Sequence, residues 1–218
     1  MTYDQIRQDE AVRVYIAQAD LSLEALGYTE HSFAHVTKVA ETAGAILKDL
    51  GYSERTVELA KIAGYLHDIG NIVNRVDHSQ SGAVMAFRIL DRMNFPPLEI
   101  AQIVSAIGNH DEGSGVPVNA IAAALILADK SDVRRSRVRH AEDRNHDIHD
   151  RVNYSVTAAD LTLDPEHKNI TLTLEVDTSS SSVMEFFEIF MSRMLMCKRA
   201  AKKLDLHFQL LINGQQLV

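Results

Sequence analysis

The residues of this chain that could hold a cation fall in a definite order. His67 and Asp68 stand side by side where the apolar run Gly64-Tyr65-Leu66 ends, and Gly70 can break a helix just beyond them. Neighbouring side chains on a helix diverge, so the two share an ion only where the backbone lets them converge, as at a helix end. An imidazole beside a carboxylate makes half of a nitrogen-and-oxygen metal site. The other half has to come from elsewhere: His35 lies upstream, His78 and His110 downstream, and Asp129 stands in Ala128-Asp129-Lys130-Ser131-Asp132. Asp129 ends a run of Ala, Ile and Leu that reads as a buried helix, and a carboxylate there is costly unless it is paired or bound to a cation.

This order, H…HD…D, resembles the HD-domain superfamily of metal-dependent phosphohydrolases. His35 in His35-Val36-Thr37-Lys38-Val39-Ala40 is similar to the first-histidine motif of that family, His67-Asp68 to its doublet and Asp129 to its final aspartate. His78 and His110 resemble the extra histidines of the two-metal subgroups, in which a second ion shares the doublet's aspartate. The resemblance implies hydrolysis of a phosphoester of a nucleotide or another small phosphorylated metabolite. One or two divalent ions would activate water and neutralise phosphoryl oxygens at His35, His67, Asp68, His78, His110 and Asp129. Such ligands suit Mn, Fe, Co, Ni, Zn or Mg without choosing among them. Asp68 would hold the catalytic ion. Lys38, one turn after His35, and Lys130, beside Asp129, are candidates to grip phosphate or balance the site's charge.

Two other functions are compatible with the same residues. One is a di-iron HD-fold oxygenase, the other a metal-stabilised regulatory module without catalysis; the complete ligand set counts against the second. Gly113-Ser114-Gly115-Val116-Pro117 resembles the Gly-x-Gly-Tyr-Pro element of the cyclic-dinucleotide phosphodiesterase branch, but Val116 replaces Tyr and Glu112 replaces Asp, so that substrate is not carried over. His31 is expected in a pocket wall. His140, His146 and His149, among Asp143, Asp147 and Asp150, read as a solvated connection. Arg134, Arg135, Arg137 and Arg139 are expected to pair with acidic groups of the surface or of a subunit partner.

Helices must position these residues. Apolar spacing predicts a helix from about Asp4 to Leu26, a second opened by Thr29 and carrying His31 and His35 to Leu50, and a third capped by Ser53 that ends at His67-Asp68. Further helices are expected from His78 to Met93, from about Leu98, after the punctuating Pro96-Pro97, to near Gly108-Asn109-His110, and from Asn119 to Ala128. The pattern then changes. Tyr154 to Ala158 and Ile170 to Val176 alternate as strands, 161–168 reads as a turn, 180–204 as an amphipathic helix, and Leu206 to Ile212 with Asn213-Gly214 as a strand and hairpin turn. The expected fold is mainly α: an HD-type helical bundle over residues 1–145 and a small α+β appendage over 146–218. That appendage is too small to bury both faces alone, so it is expected to pack on the bundle or on a second subunit. Its long helix is expected to cover its sheet.

Composition bounds the rest. The 218 residues, 46% hydrophobic and 24% charged, suffice for one substantial core. A net charge of −8 disfavours a nucleic-acid partner. The single Cys197 excludes an intramolecular disulfide and reads as a small buried apolar side chain. The polar N-terminal stretch is no signal peptide, and no apolar run is long enough for a membrane span. A cytoplasmic enzyme with a small phosphorylated substrate, no membrane partner and a possible homodimeric state is expected.

Overall fold

A computed structural model describes residues 1–139 and 148–218. The bundle consists of α1 (Tyr3–Gln8), α2 (Glu10–Ala25), α3 (Phe33–Asp49), α4 (Glu54–Leu66), α5 (His78–Arg92), α6 (Pro97–Gly108) and α7 (Ala120–Ser131). Its centre is α3, α4 and α7 packed on one another, with α5 and α6 alongside. From Ile121 to Ala128, α7 is buried on every side, as its lack of polar residues requires. Asn119 starts this helix by accepting a hydrogen bond from the Ala122 amide at 2.7 Å. Ser53 caps α4 in the same way through Thr56.

Two close approaches set the spacing of the elements that carry the chemistry. A Cβ on Gly64 would lie 2.7 Å from the Cα of Ala40, so only glycine lets α4 settle so closely against α3. A Cβ on Gly70 would lie 2.0 Å from the His78 carbonyl. Gly70 belongs to a single 3₁₀ turn, Ile69–Ile72, that follows Asp68 and rests against the start of α5.

After α7 the chain makes α8 (Ile148–Ser155), β1 (Val156–Leu163), β2 (Asn169–Val176), α9 (Val183–Lys203), β3 (His207–Ile212) and β4 (Gln215–Gln216). The sheet order is β1-β2-β3-β4, with β1 and β4 antiparallel to their neighbours. The central pair, β2 and β3, is parallel, and α9 is its crossover. Asn213 and Gly214, at φ 50° and 78°, turn β3 into β4. The apolar cores of the bundle and of the appendage are continuous.

The structure corrects four expectations. The first helix is two, because Asp9 leaves helical geometry to accept a hydrogen bond from the Val12 amide and so caps α2. Ser32, not Thr29, caps α3, so His31 lies ahead of the helix that carries His35. Tyr154 and Ser155 finish α8, and β1 continues to Leu163. Finally, α9 packs against α7 and α8 as well as β3, burying Phe186, Phe190, Met194 and Cys197 while Met184 and Leu195 stay exposed. The connection at 140–147 lies outside the described residues. Among the described residues no helix is long and apolar enough to cross a membrane.

Candidate metal centre

Five helices and the 3₁₀ turn after α4 bring six side chains together. His35 comes from the first turn of α3, His67 caps the C-terminus of α4, and Asp68 follows it into the 3₁₀ turn. His78 opens α5, His110 lies just past α6, and Asp129 is in the last turn of α7. The doublet converges because the helix ends there: His67 keeps helical angles, whereas Asp68 turns to φ −95°, ψ 2°.

The contacts divide around the two oxygens of Asp68. Oδ2 lies 3.2 Å from His67 Nε2 and 3.6 Å from His35 Nε2. Asp129 Oδ1 completes that group, 3.4 Å from His35 Nε2 and 3.6 Å from His67 Nε2. Asp68 Oδ1 faces the other way, 3.5 Å from His78 Nε2 and 3.9 Å from His110 Nε2, which are themselves 3.2 Å apart. Donors bound about 2.1 Å from one ion at tetrahedral or octahedral angles sit roughly 3.0–3.4 Å from each other, close to these separations.

The hydrogen bonds fix which nitrogen faces inward. His67 Nδ1 donates to the Gly64 carbonyl at 2.8 Å, His110 Nδ1 to Ile107 at 2.6 Å, and His78 Nδ1 to Arg75 at 3.1 Å. His35 Nδ1 meets the carboxylate of Asp132 at 2.7 Å. Each neutral ring therefore turns an Nε2 lone pair toward the others. Nε2 of His35 and of His67 is buried with no hydrogen-bond partner. Lone pairs and carboxylate oxygens gathered in a buried space need a cation between them. Burial opposes charging His67, but Asp68 and Asp129 outweigh it and raise its imidazole to about 10, so without a metal a proton takes that place. At the other end, burial together with His67 and Lys130 lowers His110 to about 3, leaving a neutral ring suited to ligation. The residues present thus fit one ion at His35, His67, Asp68 and Asp129, and a second at Asp68, His78 and His110; His35, His67 and Asp129, and His67, Asp68 and His110, each form a metal-sized group.

Around the ligands lies a layer of ion pairs. Asp132 is fully enclosed and receives His35, Lys38 at 2.9 Å and Arg134 at 2.9 Å, with Arg137 at 3.8 Å. Burial resists its ionisation, yet His35, Arg137 and Lys38 hold its carboxyl far below the usual range. Lys38 therefore sits behind His35, on Asp132. Lys130 is buried between Asp129 at 2.7 Å and Glu112 at 2.6 Å. Arg193 of α9 donates to the other oxygen of Glu112 at 2.9 Å. Lys130 and Arg193 keep Glu112 at about 2 against the effect of burial.

Sequence reasoning passed over Asp132, Arg75 and Arg193. None of the three carries a sequence signal: Asp132 stands in a run dense with Lys and Arg, and nothing in the spacing of the two arginines sets them apart. Of the arginine run, Arg134, Arg135 and Arg139 pair with Glu30, Asp177 and Asp20, and Arg137 alone of the four lines the cavity over the ligands. His31 lines it too, its ring 5.5 Å from that of His35. Cys197 is buried and its thiol is pushed up to about 12 by burial, so it is chemically quiet.

Comparison with known proteins places the chain. A family model for the HD domain matches residues 32–152. A protein of Methanocaldococcus jannaschii described as uncharacterized, MJ1020, is 28% identical over 185 residues, spanning 74% of this chain and 69% of its own. Ribonuclease Y of Lawsonia intracellularis is 36% identical over 107 residues, and that of Mycoplasma mycoides is 32% identical over 113. Those alignments span about half of this chain, 48% and 52%, but only 18% and 25% of the ribonucleases. A crystal structure of a predicted HD superfamily hydrolase from an uncultured Thermotogales bacterium aligns with TM-score 0.44 and 24% identity, covering 57% of this chain and 67% of that one.

Proposed function

The chain belongs to the HD-domain family, and from that premise we propose that it is a metal-dependent phosphohydrolase acting on a nucleotide or another small phosphorylated metabolite. The observation that carries this reading is the pair of buried, unpartnered Nε2 atoms of His35 and His67 facing the oxygens of Asp68 and Asp129. His35, His67, Asp68 and Asp129 would hold one divalent ion, and Asp68 would share a second with His78 and His110. When bound, such ions polarise a phosphoryl oxygen and acidify water.

The chain's own groups prepare the site. Backbone carbonyls of Gly64, Ile107 and Arg75 hold the imidazoles of His67, His110 and His78 in one tautomer and one orientation. Asn71 donates to Asp68 Oδ1 at 3.0 Å and fixes the rotation of that carboxylate. Lys130 does the same for Asp129 and leaves Asp129 Oδ1 directed at His35 and His67. Both carboxylates are thus ionised and aimed before anything binds, so their orientation is settled in advance of substrate.

The test is turnover of a set of phosphomonoesters and phosphodiesters with added Mn²⁺, by the native protein and by Asp68→Ala. Native turnover that falls by at least about a thousandfold in Asp68→Ala, with helical circular dichroism retained, is expected for loss of a residue that serves both ions. Native-like turnover in Asp68→Ala overturns the reading. Iron-loaded protein that consumes O₂ and releases no phosphate overturns it in favour of an oxygenase.

A further inference from the structure

The cavity over the candidate ligands is small, about 220 Å³, and among the described residues four cations line it: Arg75, Lys130, Arg137 and Arg193. Two of them are committed inside the protein. Lys130 lies between Asp129 and Glu112, and Arg137 donates to the carbonyls of Glu30 at 2.9 Å and Asp132 at 2.8 Å.

The other two are held differently. Arg193 is fixed along one edge, its Nε on Glu112 at 2.9 Å and its guanidinium 4.8 Å over the ring of Phe190. Among the described residues its two terminal nitrogens donate no hydrogen bond. Arg75 lies over the ring of Tyr28 at 5.6 Å, with Nη1 3.3 Å from Asn71 Oδ1 and 3.4 Å from His78 Nε2. Among the described residues no carboxylate pairs with it. A guanidinium fixed along one edge with its fork free is set up to take an oxyanion bidentately. The two arginines have different neighbours, Arg75 beside His78 and Arg193 beside Glu112, which also holds Lys130.

Resting on the hydrolase reading, we infer that the substrate is a compact metabolite with a second oxyanion, phosphate or carboxylate, besides the phosphoryl group that is cleaved. Arg193 receives the second oxyanion, and Arg75 faces the reacting phosphoryl at the His78 and His110 end. The α9 helix of the appendage thereby supplies specificity. The lining argues against a nucleobase or an RNA strand. Ligand pockets usually exceed about 300 Å³ and are mostly apolar. Here the one carbocyclic ring in the described lining, Tyr28, already carries Arg75.

The experiment is titration calorimetry on the full-length protein with Mn²⁺, with phosphate release read in the same samples. Hexose 6-phosphate is compared with hexose 1,6-bisphosphate, and glycerol phosphate with 3-phosphoglycerate, beside a short RNA oligonucleotide. The second oxyanion is expected to tighten binding about tenfold or more in at least one pair, as a charge-assisted bidentate contact does. Arg193→Gln should erase that gain, and Arg193→Lys should restore part of it. No gain in the native protein overturns the inference, as does a gain that survives Arg193→Gln or tighter binding of RNA than of any metabolite. A gain that needs Arg193 without phosphate release upholds this inference and refutes the hydrolase reading. Phosphate release without any gain does the reverse.

Discussion

At the scale of single residues, Asp132 governs more than its place outside the ligand set implies. It orients the ring of His35 and gathers Lys38, Arg134 and Arg137. Asp132→Asn keeps the shape but takes away the charge that those cations answer. Carboxylate partners of metal-ligating histidines are worth about 10- to 100-fold in metal affinity. A loss of that size is expected when Mn²⁺ binding is followed by calorimetry, with native circular dichroism; unchanged affinity would show that Asp132 only neutralises its neighbours. The candidate ligands that the structure gathers were legible in the sequence because each combines a donor type with a telling context, such as the His-Asp pair at an apolar helix's end. Asp132 was not, since a carboxylate in a run dense with Lys and Arg reads as a solvated charge. What distinguishes it is enclosure, which only packing shows.

At the scale of elements, the site depends on how closely α3 and α4 approach. Gly64→Ala would place a methyl group 2.7 Å from backbone atoms of α3, which have no rotamer to yield. The helices must separate, and His35 and His67 separate with them. Overpacking of this kind costs about 1–3 kcal/mol. Gly64→Ala should therefore lower both the melting temperature and the affinity for Mn²⁺. Helices with a clear apolar run and a side-chain cap, α4 and α7 among them, were legible because the two signals agree. The break at Asp9 and the true start of α3 were less so. There several polar residues compete for the cap, and tertiary contacts decide: the Thr29 carbonyl is taken by His31 Nδ1 at 2.6 Å, which leaves Ser32 to begin the helix. The change at Val156 from helix to strand gave no sequence signal, because Tyr154, Val156 and Ala158 alternate as a strand would.

At the scale of the whole molecule, the appendage is part of the fold's core. The α9 helix rests on α7, and Met196, Cys197 and Ala200 are buried in the continuous core. Removing residues 156–218 would bare that face of α7, a helix buried on every side from Ile121 to Ala128, and strip away Arg193. The shortened protein is expected to aggregate on size-exclusion chromatography, an outcome a soluble, monomeric, fully helical product would contradict. The parallel pairing of β2 with β3 has a further consequence, in the order of folding. These strands cannot meet until the 21 residues of α9 have been laid down between them. All six candidate ligands lie within the first 129 residues, whereas Arg193 arrives with the crossover. Contacts distant in sequence close slowly, because loop entropy is spent before they reward it. As the chain emerges during synthesis, the proposed ion-binding centre can assemble early, while the wall carrying Arg193 waits for a late, non-local event. On the proposed reading, selectivity is the last property this molecule acquires.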